Sequence, residues 1–169
     1  EYQTAITTVL HRLETEGLAP DGIARIGIRV VAPGTYFQRH QRVTDEYIER
    51  LAKRSSVAPL HIPVVLEELQ QIRVACPQIP LVALSDSAFH AKMPPQARQY
   101  SIDPTLAEEA DLYRFGYHGI SVASIVARAP TVLSFTPKRL VVAHIGSGVS
   151  VTAVHGGVGA WTSMGFDPS

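Results

Sequence analysis

Two short apolar runs, IARIGIRVV at residues 23–31 and LVALS at 81–85, are separated by stretches whose apolar residues recur at helical spacing. Strands that alternate with helices in this way predict an α/β layer whose strands are buried on both faces. Before the first run, Ile6, Val9, Leu10 and Leu13 mark a helix over residues 3–16, and Gly17 stands where a C-cap belongs. Between the runs, Thr44 suits an N-cap, and Val43 can staple onto Ile48 of a helix whose inner face is Ile48, Leu51 and Ala52. A second helix opens at Pro63, carries Val65, Leu69, Ile72 and Cys76 on one stripe, and stops at Pro77.

The second half is patterned differently. ISVASIVARA at 120–129 predicts a short helix, after which RLVVAHIG, VSVTAVHGG and VGAWTSMG read as three strands joined by tight Gly and Ser turns, a meander. The polar, Pro-rich segment after His90 is the expected boundary, dividing residues 1–90 from 91–169. No fixed-period repeat or low-complexity tract interrupts this order. Glu1 lies inside a helical pattern and the chain stops just after a strand-like run, so both ends read as cut from something longer.

Fifteen basic and fifteen acidic residues among 169 leave no net charge to attract nucleic acid or an anionic membrane. A small-molecule partner is the expectation, with no nucleic acid and no membrane partner. Cys76 is the single cysteine, which excludes a disulfide framework and predicts a core thiol. No apolar run reaches the ~20 residues that cross a bilayer, and no signal segment opens the chain, so the expected location is cytoplasmic.

Several residues are placed where chemistry could use them. In HIGSGVSV, Gly146 and Gly148 flank Ser147 between two apolar strands, which makes either a plain hairpin turn or a cradle whose N–H groups and Ser147 and Ser150 hydroxyls meet phosphate oxygens. Arg29 interrupts an apolar strand, as an anion ligand or as half of an ion pair. Asp86 ends LVALS, at the strand end where ligands gather in open α/β sheets; it either holds a metal–nucleotide phosphate or caps the following turn. His61, His90, His118 and His144 all fall at element–loop junctions, without the spacing of a zinc motif. His118, in YRFGYHG, has aromatic neighbours and flanking glycines that suit a constricted pocket. No GxSxG elbow supports a serine hydrolase.

Together these stretches resemble the acetate kinase family, within the superfamily of acetate and sugar kinases, Hsp70 and actin. APLH at 58–61 is similar to the family's APLHNP, DSAFHAKMP at 86–94 to DTAFHxTMP, RFGYHG at 114–119 to RYGxHG, HIGSGVSV to HLGNGxSV, and TSMG at 162–165 to DTSMG. The order and spacing fit from Ile26 to Gly165.

The resemblance implies a ribonuclease H-like, actin/Hsp70-type α/β fold with duplicated domains, of which residues 1–90 would close the first and 91–169 open the second. It implies transfer of the γ-phosphoryl group of ATP to a short-chain carboxylate, with ATP/ADP and Mg2+ as cofactors and a homodimer in the full-length protein. By motif position, Arg29 would bind the carboxylate or the transferring phosphoryl, Asp86 would orient Mg2+ or the nucleophile, and His118 would donate to the equatorial oxygens. His61 would help line the site, with Val31, Leu60 and Tyr117 forming an apolar pocket for the acyl group; His144, Gly146, Ser147 and Gly148 would contact nucleotide phosphates. His90 would play a supporting part.

Several motif positions differ: Ile28 and Ala32 replace histidines, Pro33 a glycine, Ile62 an asparagine, Val122 a histidine and Ser147 the loop asparagine. Lost polar groups at Ile28, Ile62 and Val122 leave two rival readings open. One is a non-catalytic homologue that binds nucleotide or acid, and the other a kinase for a larger acid such as propionate or butyrate.

Overall fold

A computed structural model describes residues 5–18 and 22–168. Two compact units divide the chain, one of residues 1–30 and 41–84, the other of residues 31–40 and 85–169.

The first unit carries helix α1 (Ala5–Thr15), strand β1 (Ile26–Val30), strand β2 (Gln41–Arg42), helices α2 (Asp45–Ala52) and α3 (Ile62–Ala75), and strand β3 (Leu81–Ser85). The sheet order is β1-β3-β2, with β2 antiparallel to β3 and Gln41 opposite Ala83. β2 is too short to leave a periodic signal. Gly17 ends α1 at φ 79°, with its N–H on Glu14 O and the next N–H, of Leu18, on Leu13 O, the left-handed cap that only glycine adopts without strain. Thr44 caps α2 as its sequence predicts, its hydroxyl accepting the Tyr47 N–H at 3.2 Å. The inner face of α2 differs from expectation: Tyr47 and Leu51, an i, i+4 pair, are buried, whereas Ala52 is exposed. In α3 the predicted stripe of Val65, Leu69 and Ile72 is buried, together with Ile62 and the Cys76 thiol that follows.

β1 corrects the expectation of strands buried on both faces. Ile28 and Val30 are buried while Gly27 and Arg29 are exposed, so the strand alternates and Arg29 stands on its open side.

The second unit contains short helices α4 (Pro95–Arg98) and α5 (Pro104–Glu109), the long helix α6 (Gly119–Leu133), and strands β4 (Arg139–Ile145), β5 (Val149–His155) and β6 (Val158–Thr162). The meander is antiparallel in the order β4-β5-β6, with His144 opposite Ser150 and a bulge at Ala153/Val154. α5 lies in what reads as a polar linker; Asp103 caps it by accepting the Thr105 and Leu106 N–H groups, with Pro104 in the first turn. α6 runs four residues past the predicted end, through Pro130.

Among the described residues, two small cores pack within this unit. Val122 of α6 packs with Val142 and Val154 of the meander, joined by Phe89, Val126 and Leu140. Val31, Phe115 and Tyr117 form the other, with Tyr113, Met164 and Phe166 against them. The segment at 31–40 is tied into it where Asp111, at φ 51°, accepts the Thr35 N–H and hydroxyl, and where the Gln38 side-chain amide donates to Phe115 O.

Candidate active site

The site grows from the end of β3. Asp86 is 1% exposed, and its Oδ2 accepts the backbone N–H of His118 at 2.8 Å while its own carbonyl accepts the Gly119 N–H at 2.7 Å. Both bonds hold the first turn of α6, where orphan N–H groups and the positive end of the helix dipole favour a carboxylate. His118 sits there at φ 59°, in the left-handed region, at a cost of ~1 kcal/mol that the charge-assisted bond offsets. Gly119 is required by this approach: a Cβ would lie 2.5 Å from Asp86 O. Asp86 thus caps the start of a helix distant in sequence.

The His118 ring is 9% exposed and stacks on that of His144, centroids 4.0 Å apart and planes at 21°. Each ring has a serine on its Nδ1: Ser150 Oγ lies 3.0 Å from that of His118, and Ser121 Oγ 3.0 Å from that of His144. The Gly146–Gly148 turn, closed by Gly146 N–H on Gly148 O, runs past the opposite ring edges; a Cβ on Gly148 would stand 3.0 Å from His118 Nε2, and one on Gly146 3.6 Å from His144 Nε2. Ser147 is exposed at its tip. Ser150, expected to offer its hydroxyl to a phosphate, is instead 1% exposed and committed to His118.

His90 lies beneath. It is fully buried, its Nε2 donates to Tyr117 O at 3.0 Å, and its Nδ1 has no hydrogen-bond partner. Burial pushes its pKa below the ordinary value, so the ring is neutral. Gly116, at φ 69°, lets the chain pass: a Cβ there would lie 2.8 Å from the His90 ring and 2.6 Å from Thr162 Cγ2. Tyr117 is 1% exposed, burial raises its phenol pKa, and the neutral hydroxyl donates to Phe166 O at 2.5 Å. Arg114 Nη1 donates to the carbonyls of Thr162, Ser163 and Met164, and the Phe115 and Gly116 N–H groups to that of Gly165. The segment that presents His118 is therefore strapped to the loop after β6.

Asp86, His118, His144, Gly146 and Gly148 come together in this unit, and Val31 and Tyr117 share one core. Arg29, Leu60 and His61 belong to the other unit: Arg29 on β1, Leu60 75% exposed in the turn before α3, and His61 half-buried at the N-terminus of α3, without a side-chain cap. Ser121 escapes sequence reading, and its one available signal is its place one helical turn after His118. Ile62 and Val122 are fully buried. Val122 packs with valines of the meander, so its side chain fills a core. Among the described residues no group of three or more His, Cys, Asp or Glu side chains could hold a metal, and no helix is long and apolar enough to cross a membrane.

The acetokinase family matches residues 1–169, the whole length. The chain belongs to that family. It is 37% identical over 172 residues to the acetate kinase of Oceanobacillus iheyensis, covering 99% of this chain and 43% of that relative. With the acetate kinase of Thermosynechococcus vestitus the identity is 41% over 149 residues, 87% of this chain and 36% of the relative. A propionate kinase from Francisella tularensis superposes with a TM-score of 0.89 at 31% identity, and Porphyromonas gingivalis acetate kinase with 0.82 at 29%; each comparison covers 99% of this chain and 44% of the other. The chain thus spans less than half the length of these relatives. Its fold is the ribonuclease H-like, actin/Hsp70-type α/β fold of these kinases.

Proposed function

We propose that the protein carrying this chain transfers the γ-phosphoryl group of ATP reversibly to a short-chain carboxylate such as acetate, giving an acyl phosphate and ADP. The observation that carries this reading is the buried Asp86 carboxylate locking the His118 backbone, beside a stacked imidazole pair and a glycine turn. A carboxylate oxygen attacks the γ-phosphorus, a new P–O bond forms, and the bond to the ADP oxygen breaks. The nucleophile is already ionised at neutral pH, so no general base is needed. Catalysis rests on positioning and on neutralising charge on the equatorial oxygens.

In this reading His118 donates to the transferring phosphoryl group, Arg29 binds it or the carboxylate, and His61 lines the same site. His144, Gly146, Ser147 and Gly148 contact the nucleotide phosphates. Val31, Leu60 and Tyr117 bound the acyl group. Mg2+ asks a protein for one or two carboxylates and keeps much of its water. The Asp86 carboxylate, at the start of α6, is of the oxygen-donor type that this ion takes. Asp86 is the residue that would hold or orient the ion, which when bound supplies positive charge to the phosphate oxygens. Residues 1–90 closing a first domain and 91–169 opening a second, a homodimer in the cytoplasm, and the absence of nucleic acid or membrane partners belong to the same proposal.

Val122, at a position that departs from the family motif, is fully buried and packs with Val142 and Val154, so its side chain fills a core. The test is acyl hydroxamate formation by the full-length protein with Mg-ATP and acetate, propionate or butyrate, trapped with hydroxylamine. Product with acetate is expected. Nucleotide binding by a folded protein without product from any of the three acids would refute phosphoryl transfer.

A further inference from the structure

Two imidazoles stacked face to face at 4.0 Å, each with a serine on Nδ1, are more ordered than a single anion contact requires. A neutral histidine carries its proton on one nitrogen, and the bond made by the other decides which. Ser150 is 1% exposed, so its hydroxyl proton needs a partner within the protein, and the Nδ1 lone pair of His118 stands 3.0 Å away. Ser121, on the first turn of α6, stands in the same relation to His144, 3.0 Å from its Nδ1. The Nε2 edges of both rings face the Gly146–Gly148 turn.

We propose that Ser150 and Ser121 are positioning residues. Their hydroxyls donate to Nδ1 of His118 and His144, fixing both rings with the proton on Nε2, so that the stacked pair presents two N–H donors side by side to one phosphate group held at the turn. The ligand class is a phosphate monoester or phosphoanhydride terminus, and the inference rests on the phosphoryl-transfer reading above. Register explains why the two serines act as a set. His144 and Ser150 are opposed across β4 and β5, and His118, the N-cap of α6, precedes Ser121 by three residues. His118 is thereby clamped by Ser150 of the hairpin and His144 of the hairpin by Ser121 of α6, and the two bonds tie the helix to the hairpin.

The experiment uses the full-length protein with 15N-labelled histidine. Histidine ring spectra of the parent, Ser121→Ala, Ser150→Ala and Ser121→Thr are recorded alongside titration with inorganic phosphate and initial rates. The parent should show both rings as the Nε2–H tautomer. Each alanine variant should mix the tautomers of its own histidine and weaken phosphate binding about tenfold, as loss of an orienting bond to a ligand-bearing histidine does. Ser121→Thr, which keeps the hydroxyl, should restore the parent spectrum. An Nδ1–H tautomer in the parent, or unchanged ring spectra in both alanine variants, would overturn the proposal even if activity falls. Parent rings in the stated tautomer but no acyl phosphate from any acid would instead count against the kinase reading, leaving the serine–histidine assignment in place.

Discussion

The carboxylate of Asp86 and the backbone N–H of His118 meet at 2.8 Å, thirty-two residues apart in the chain. Through this bond Asp86 sets the first turn of α6 and with it the orientation of an imidazole. Asp86→Ala would leave the His118 N–H buried and unpaired, at a cost of ~1–3 kcal/mol. Asp86→Asn keeps an oxygen that can accept the same N–H but gives up the charge, so it should lose less stability than Asp86→Ala. Thermal unfolding of the two variants checks the contrast, and equal losses would remove the bond from the account.

His90 predicts a pH dependence of stability. Its pKa is lowered in the folded protein because burial disfavours the cation. Below the ordinary histidine value of about 6.5 the unfolded chain takes up a proton that the folded chain refuses, so stability falls as pH drops through that window toward the folded pKa. His90→Gln can still donate to Tyr117 O but does not titrate. Comparing unfolding temperatures at pH 7.5 and 5.0, the variant should lose less than the parent.

The turn should distinguish its two glycines. Gly148→Ala would bring a methyl to 3.0 Å from His118 Nε2 and 3.1 Å from Cε1, whereas Gly146→Ala meets its nearest atom at 3.6 Å, ordinary contact. Displacing the His118 ring should lower turnover by about tenfold or more, since sub-ångström placement controls such rates. Gly146→Ala should cost less, because it leaves the His118 ring in place. Steady-state rates on the full-length variants decide it.

Val122→His, which restores the histidine of the family motif, should destabilise rather than activate. Val122 is fully buried against Val142 and Val154. An imidazole there is larger than the valine and needs a polar partner, so a cost of roughly 2–4 kcal/mol is expected from overpacking and an unmet hydrogen bond. Denaturant midpoints measure the loss; higher activity without it would contradict this placement.

What the sequence made legible follows from the range of each signal. Periodicity and caps are local, so α3, the Thr44 cap and the meander are where the pattern puts them. α6 outruns its prediction by continuing through Pro130, a residue that ordinarily ends or kinks a helix. Arg29 stands out as a charge in an apolar run because alternate residues of β1 face outward. The return of residues 31–40 to the second unit rests on bonds such as Thr35 to Asp111, seventy-six residues apart, which leave no local mark. The same holds at the site. Residue types announced Asp86, His118 and the glycine turn, but the pairing of each histidine with a serine depends on strand register and helix placement, and Ser150 could only be read as a free hydroxyl.

The central claim is phosphoryl transfer at Asp86, and the most direct measurement is the rate of acyl phosphate formation from Mg-ATP and acetate by the full-length protein and its Asp86→Asn variant. The parent should form acyl phosphate, and the variant, folded but without the charge, should be slower by at least ~10²-fold. A variant as fast as the parent, or a folded, ATP-binding parent that forms none, would contradict the account.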